Sequence, residues 1–265
     1  MLSLVVALSG CSGRVSPREE KAIAELTKLG AQITFDDKRP EKSVTEIDLN
    51  AEHVTDADLK FLTALAHLES LVLSSTNVTD IGMETVGGLE KLSNLDLCNT
   101  EVTDSGLQHL QGLTDLQTLS LYRTRVTDVG LEYLTPLRNL ETLDLSKTKV
   151  TGVGLEHLTG LHKLESLDLS YCDIDNKGLQ QLAKLTQLRE LNLAETAVGN
   201  AKLKYLAGLT NLQRLFLSGN DVTDDGVESL KGLTSLRLLN LARTAVSKAG
   251  VQRVENLLPN VVVVR

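Results

Sequence analysis

One recurring position constrains this chain more than anything else in it. Ile47, Leu71, Leu95, Leu119, Leu143, Leu167, Leu191, Leu215 and Leu239 follow one another at intervals of 24 residues, so nine units run without an insertion. A fixed period of this size requires one structural unit used repeatedly, and chain length then says little about domain count. Each unit changes period partway. In Leu119-Ser-Leu121 the apolar residues alternate, which predicts a half-buried strand with Ser120 and Tyr122 facing outward. Leu131, Leu134 and Leu137 then recur at three-residue steps, which predicts one face of a short helix or 3₁₀ segment packed behind the strand. Asp56, Asp80, Asp104, Asp128 and Asp224 each follow a threonine at the junction, where a carboxylate is expected to cap the first free N–H groups of its own helix. Asn176 and Asn200 can substitute for it, whereas Gly152 and Lys248 cannot.

A single unit cannot bury its own leucine face, so neighbours must stack to complete the core, and the strands must line up as a parallel sheet on the concave side. At about 4.8 Å per strand, nine units span on the order of 40 Å. The chain is 42% hydrophobic but only 3% aromatic and has no Trp, which suits many small layers of Leu and Val. Where each strand ends, Thr76, Thr100, Thr124, Thr148, Cys172, Thr196, Asn220 and Thr244 share one position, and small hydroxyls there are expected to satisfy backbone groups of the bend.

The leucine spacing and period resemble the leucine-rich repeat. The line Val-Thr-Asp-x-Gly-Leu-x-x-Leu is similar to the cysteine-containing subfamily, also found in F-box substrate receptors, and Leu169-Ser-Tyr-Cys172 keeps the naming cysteine. With threonine in most units and a shorter period, the chain looks more like leucine-rich-repeat proteins of bacteria such as planctomycetes. The resemblance covers residues 44 to 265. It implies an α/β fold, a right-handed leucine-rich-repeat solenoid or horseshoe with a parallel concave sheet and short convex helices. It also implies protein binding without a cofactor or a reaction.

The solenoid needs its ends covered. Residues 17–29 read as an amphipathic helix and 32–35 as a strand, so 12–43 is expected to be a linker and N-terminal cap, followed by nine repeats over 44–257. Leu257-Leu258-Pro259-Asn260 shifts the register by one residue, and Val261 to Val264 reads as a last strand within a C-terminal cap, 258–265. No stretch is left over for an F-box or a catalytic domain. Before the cap, Leu8-Ser9-Gly10-Cys11 ends a short apolar stretch and resembles a bacterial lipobox, although no Lys or Arg precedes it. That resemblance makes 1–11 a signal segment and Cys11 the lipidated residue. It places the protein at the cell envelope, attached to membrane only through its lipid, since no apolar run reaches the roughly 18 residues of a spanning helix.

The formal net charge of -8 argues against nucleic acid, which needs a basic surface. Cys98 and Cys172 lie on different faces three units apart, too far for a disulfide, and read as an exposed thiol and a core residue. His109 and His157 are separated by about 10 Å with Tyr133 between, which excludes a shared metal. No nucleophile is set beside a base and an orienting group, so no catalytic residue is assigned. Asp144 and Asp168 stand side by side on the strand face, expected to be solvated or paired with arginine. The informative cluster is Tyr122, Arg123, Arg125, Lys147, Lys149 and Tyr171, a basic and aromatic patch at the strand ends of the fourth to sixth units. Tyr and Arg commonly anchor interfaces, and Phe216, near Arg214, is expected to extend the surface. The reading is a lipid-anchored scaffold holding a protein or peptide on its concave face. The alternative is a cytoplasmic adaptor of the F-box-receptor kind.

Overall fold

A computed structural model describes residues 15–36, 43–51 and 53–265, so Cys11 and the apolar stretch before it lie outside the described residues. The strands are β1 (Gln32–Asp36), β2 (Ser43–Asp48), β3 (Ser70–Val72), β4 (Asn94–Asp96), β5 (Thr118–Ser120), β6 (Thr142–Asp144), β7 (Ser166–Asp168), β8 (Glu190–Asn192), β9 (Arg214–Phe216), β10 (Leu238–Asn240) and β11 (Val262–Val264). They form one sheet in sequence order. β1 runs antiparallel to β2, and every later pair is parallel. Partners lie 24 residues apart, as in Leu119 opposite Leu143, so the sequence period is also the sheet register.

Each strand returns to the next through a short helical turn, α-helical at Asp80–Gly87 and Asn176–Leu182, 3₁₀ at Gly130–Leu134 and Val153–Leu158. The threefold spacing of Leu131, Leu134 and Leu137 puts all three in the core with no exposed surface, beside Leu119 and Leu121 of the strand. The core is one continuous column of such layers. At one end the helix α1 (Pro17–Lys28) buries Ala22, Ile23 and Leu26 and packs on the 3₁₀ segment Asp56–Ala64. Its N-terminus is capped by the Ser16 hydroxyl, which accepts from the Glu19 N–H, with Pro17 in the first turn. At the other end the one-residue shift is local. Leu258 and Val261 are the buried pair there, yet Val263 still pairs with Leu239 at the 24-residue interval.

The junction aspartates behave differently from the expectation that each caps its own helix. Thr79 and Thr103 are the caps, their hydroxyls accepting from the N–H groups of Ile81 and Ser105. The aspartate instead reaches into the next coil. Asp80 accepts from the Thr103 N–H at 2.7 Å and from its hydroxyl at 2.6 Å, and the same two bonds join Asp56 to Thr79, Asp104 to Thr127, Asp128 to Thr151 and Asp224 to Ser247. The carboxylate needs space, and a Cβ on Gly106 would sit 2.5 Å from Asp80 Oδ1. Thr, Asp and Gly of the repeated line are thus three parts of one inter-coil tie.

The tie is absent at two successive junctions along the solenoid. Gly152 replaces the aspartate, adopts φ 115° and lies against Gly178. Asn176 faces Gly199, which has no hydroxyl, and there Lys202 spans the coils through its ammonium to the carbonyls of Ile174 and Ala197. Asn200 then resumes the pattern with Thr223.

Candidate functional site

Each strand ends in the same bend. The hydroxyls at the shared strand-end position donate inward within their own coil, Thr124 to the Leu121 carbonyl and Thr148 to the Leu145 carbonyl, whereas the Cys172 thiol donates at 3.2 Å to the Leu145 carbonyl one coil back. The residue before this position adopts a left-handed conformation in successive coils: Ser75, Asn99, Arg123, Lys147, Tyr171, Glu195, Gly219 and Arg243, with φ from 54° to 67°. Such angles are unfavourable for residues with a Cβ. They persist here because the N–H is held by the next coil, Arg123 by Ser146 O, Lys147 by Ser170 O and Tyr171 by Ala194 O. The backbone that pays this strain turns the side chains of Arg123, Lys147 and Tyr171 outward in one column.

Within that column Lys147 lies between two rings, its ammonium 5.4 Å from the centre of Tyr122 and 4.7 Å from that of Tyr171. Contacts of this kind are worth about 0.5–1 kcal/mol at an exposed site, enough to bias the rotamer of a long side chain. Tyr171 keeps 53% of its surface exposed and Tyr122 is half-buried. Arg123 and Lys149 are exposed, and among the described residues neither they nor Lys147 form an ion pair. Arg125 differs, being paired to Glu101 one coil back. The column ends in a second pair, Glu195 with Arg243, which passes over Gly219.

Phe216 is not brought into this cluster. It sits in β9, two strands beyond β7 and half-buried, with Asn192 and Asn240 as its opposite residues on the neighbouring strands. Two features escaped the sequence reading. Val129 and Val153, six residues past Arg123 and Lys147, are 63% and 51% exposed, in the same two coils as the cations. Their only sequence signal was a valine where neighbouring units carry Ser105 and Lys177.

The strand-face aspartates are paired with neither Arg123 nor Lys147. Asp144 accepts from the Ser146 N–H at 2.8 Å and its hydroxyl, Asp168 from the Ser170 N–H, and Asp96 from the Cys98 N–H. Burial pushes the Asp96 and Asp144 carboxyls above the ordinary aspartate range, Asp48 adding repulsion to the first and Asp168 to the second, with the turn hydrogen bonds opposing. Cys98 is half-buried rather than an exposed thiol. Burial first, then Asp96 and Asp144, raises its pKa, which suppresses the thiolate that nucleophilic chemistry needs. Cys172 is buried, as the core position requires. Among the described residues no three His, Cys, Asp or Glu side chains are grouped to hold a metal ion, and no helix is long and apolar enough to cross a membrane.

A continuous sheet of short strands backed by one-turn helices, with exposed side chains displayed at the strand ends, defines a repeat solenoid built to present a surface. Leucine rich repeat family models match residues 66–126 and 114–174, and a second such model matches 208–231. The chain is a leucine-rich-repeat protein. Internalin C2 from Listeria monocytogenes has a similar structure, with 27% identity, coverage of 93% of this chain and 92% of that one, and a TM-score of 0.59. The Arabidopsis receptor kinase HAESA ectodomain, solved with a peptide hormone ligand, matches at 19% identity over 86% of this chain, TM-score 0.63. The plant peptide hormone receptor RGFR1, solved with RGF2, matches at 18% identity over 88% of this chain, TM-score 0.56. The present chain spans 46% of the HAESA chain and 36% of the RGFR1 chain. No curated protein matches it in sequence.

Proposed function

We propose that this protein is a non-enzymatic binding scaffold, held at the cell envelope by a lipid on Cys11, that captures a protein or peptide at the edge of its concave sheet. The observation that carries the reading is Lys147 between Tyr122 and Tyr171 with Arg123 and Lys149 unpaired beside it. Aromatic rings and cations that have not been neutralised offer a partner large contact area and charge at low ordering cost, which is how interface anchors work. The strained column that displays them is fixed by backbone bonds on both sides, so the surface is preorganised. Arg125, tied to Glu101, borders the site, and Phe216 is a separate contact two strands away. Peptide-bound relatives such as the HAESA ectodomain illustrate that this architecture can serve as a receptor, although their likeness to this chain is one of fold.

The test is site-specific photocrosslinking in the native cell, with a benzophenone amino acid at Tyr122, at Tyr171 and, as control, at the exposed Ile81. A discrete adduct from the first two positions and none from the third supports the scaffold reading. Equal adducts from all three, or none from any, overturn it. Fractionation with intact-mass analysis of the N-terminal peptide, with and without Cys11→Ala, tests the anchor separately. A diacylglycerol mass lost in the variant supports it, and an unmodified N-terminus in the soluble fraction sinks it.

A further inference from the structure

Resting on that binding reading, we infer that the partner segment is acidic with an apolar residue nearby, and that it docks along the lateral edge of the two coils that begin at β5 and β6. The argument starts from charge. The protein carries a net charge of -8, and the other exposed arginines beyond the strand ends are paired, Arg125 with Glu101 and Arg243 with Glu195. Arg123, Lys147 and Lys149 are the exception, adjacent in space because they occupy neighbouring coils of one parallel register. The loops that carry them are joined directly, Thr127 bridging to Lys149.

The patch is sharply bounded. In the left-handed column it gives way to Asn99 on one side and to Glu195, beyond Tyr171, on the other. In the next column it is bounded by Glu101 and Asp173. Asp173, which forms no ion pair among the described residues, repels an acidic ligand that slides toward the coil of β7, and on the other flank the cations give way to neutral Asn99 and to Glu101 already paired with Arg125, so the preferred position is set to within about one coil, ~5 Å. Cations that form no ion pair among the described residues attract a carboxylate from outside, and the rings flanking Lys147 restrict the directions its ammonium can take.

The same two coils also expose Val129 and Val153 farther along the edge. Isolated surface valines are ordinary. Two in adjacent coils, beside the only unpaired cationic patch among the described residues of this edge, give the acidic segment an apolar contact as well. Two coils measure roughly 10 Å, the reach of about three extended residues. The expected ligand therefore has two Asp or Glu side chains within about three positions and an aliphatic or aromatic residue close by.

The experiment uses the full chain immobilised against a random dodecapeptide phage library, with selected peptides then measured by fluorescence anisotropy. Acid-rich peptides that bind at least tenfold more weakly to Arg123→Ser/Lys147→Ser/Lys149→Ser, lose binding when their Asp and Glu become Asn and Gln, and keep it with Lys147→Arg, are the expected result. Neutral or basic peptides that lose affinity with Tyr122→Ala/Val153→Ser overturn the acidic-segment inference and leave the edge as a binding surface. Peptides indifferent to every edge substitution, or no selected peptide at all, overturn both. Circular dichroism melts, expected within about 3 °C of the parent for the exposed Arg123, Lys147 and Lys149 and lower for the variant that truncates half-buried Tyr122, separate lost binding from lost folding.

Discussion

Asp104 and Thr127 are joined by two hydrogen bonds across the coil boundary, one from the Thr127 N–H at 2.8 Å and one from its hydroxyl at 2.6 Å. The Thr127 hydroxyl also accepts from the Val129 N–H at the start of the next helical turn. One carboxylate thereby sets the spacing of two coils and the position of a helix start. Because the bond is between coils, its loss should loosen stacking rather than unwind a helix.

Asp104→Ala removes both bonds to a charged acceptor and leaves a half-buried N–H without its partner, a loss of about 2–3 kcal/mol. Asp104→Asn should cost less than half as much, since Asn200 makes both bonds to Thr223, accepting from its N–H at 2.9 Å and donating to its hydroxyl at 2.7 Å. Urea unfolding of the three proteins decides this. Equal losses for Ala and Asn would mean that charge, not bond count, holds the tie.

The interrupted tie gives a less intuitive outcome. Repeat logic suggests restoring aspartate at Gly152, but a Cβ there would lie 2.7 Å from the Cα of Gly178, and the backbone sits at φ 115°. Gly152→Asp should therefore destabilise by roughly 1–3 kcal/mol despite matching its neighbours. A raised midpoint in denaturant would show that the close glycine pair is dispensable.

These cases mark what the sequence made legible. The period of Leu119 and Leu143 predicted strand, sheet order and register, because burial on one face forces every coil into the same phase. The threonine and aspartate were recognised as a junction, but their bonding was assigned within one coil, since linear spacing favours local capping and a partner 23 residues on is visible only in three dimensions. At the site, Lys147 and its tyrosines were legible as a cluster because they share one repeat position or the next. The pairing of Arg125 with Glu101 depends on side-chain direction, which periodicity does not encode.

Gly219 tests how the column is built. Its neighbours show that a side chain is tolerated at this left-handed position, so conformational strain alone is a modest cost. A Cβ here would also overlap the Glu195 carboxylate on its way to Arg243. Gly219→Ala should lower stability by about 1–2 kcal/mol. In the Glu195→Ala background, where the overlap is gone, the same substitution should cost about half as much. Additive losses in that double-mutant cycle would sink the steric account.

The strand-face aspartates predict a stability gain with an unusual pH signature. Burial and then like charge hold the Asp144 carboxyl above 3.8, so the folded state keeps its proton more tightly than the unfolded chain does. Below that value the group is protonated in both states and exacts no penalty. As pH rises through the raised folded pKa, the buried group must ionise and stability falls, the penalty then staying constant toward neutrality. Asp144→Asn keeps an oxygen to accept from the Ser146 N–H, as Asn192 does from Ala194 and Asn240 from Ala242. It should raise stability at pH 7 by on the order of 0.5 kcal/mol and leave it unchanged below pH 3.8. Asp224 runs in the opposite sense, because the hydrogen bonds of Ser247 lower its pKa and its contribution, present above 3.8, is lost as pH falls through the folded value. Chemical denaturation from pH 2 to 8 should show the Asp224→Asn curve falling below the parent curve as pH climbs toward 3.8 and the Asp144→Asn curve rising above it as pH climbs past 3.8. Parallel displacement of either curve would mean that the substitution acts through packing and not through the proton.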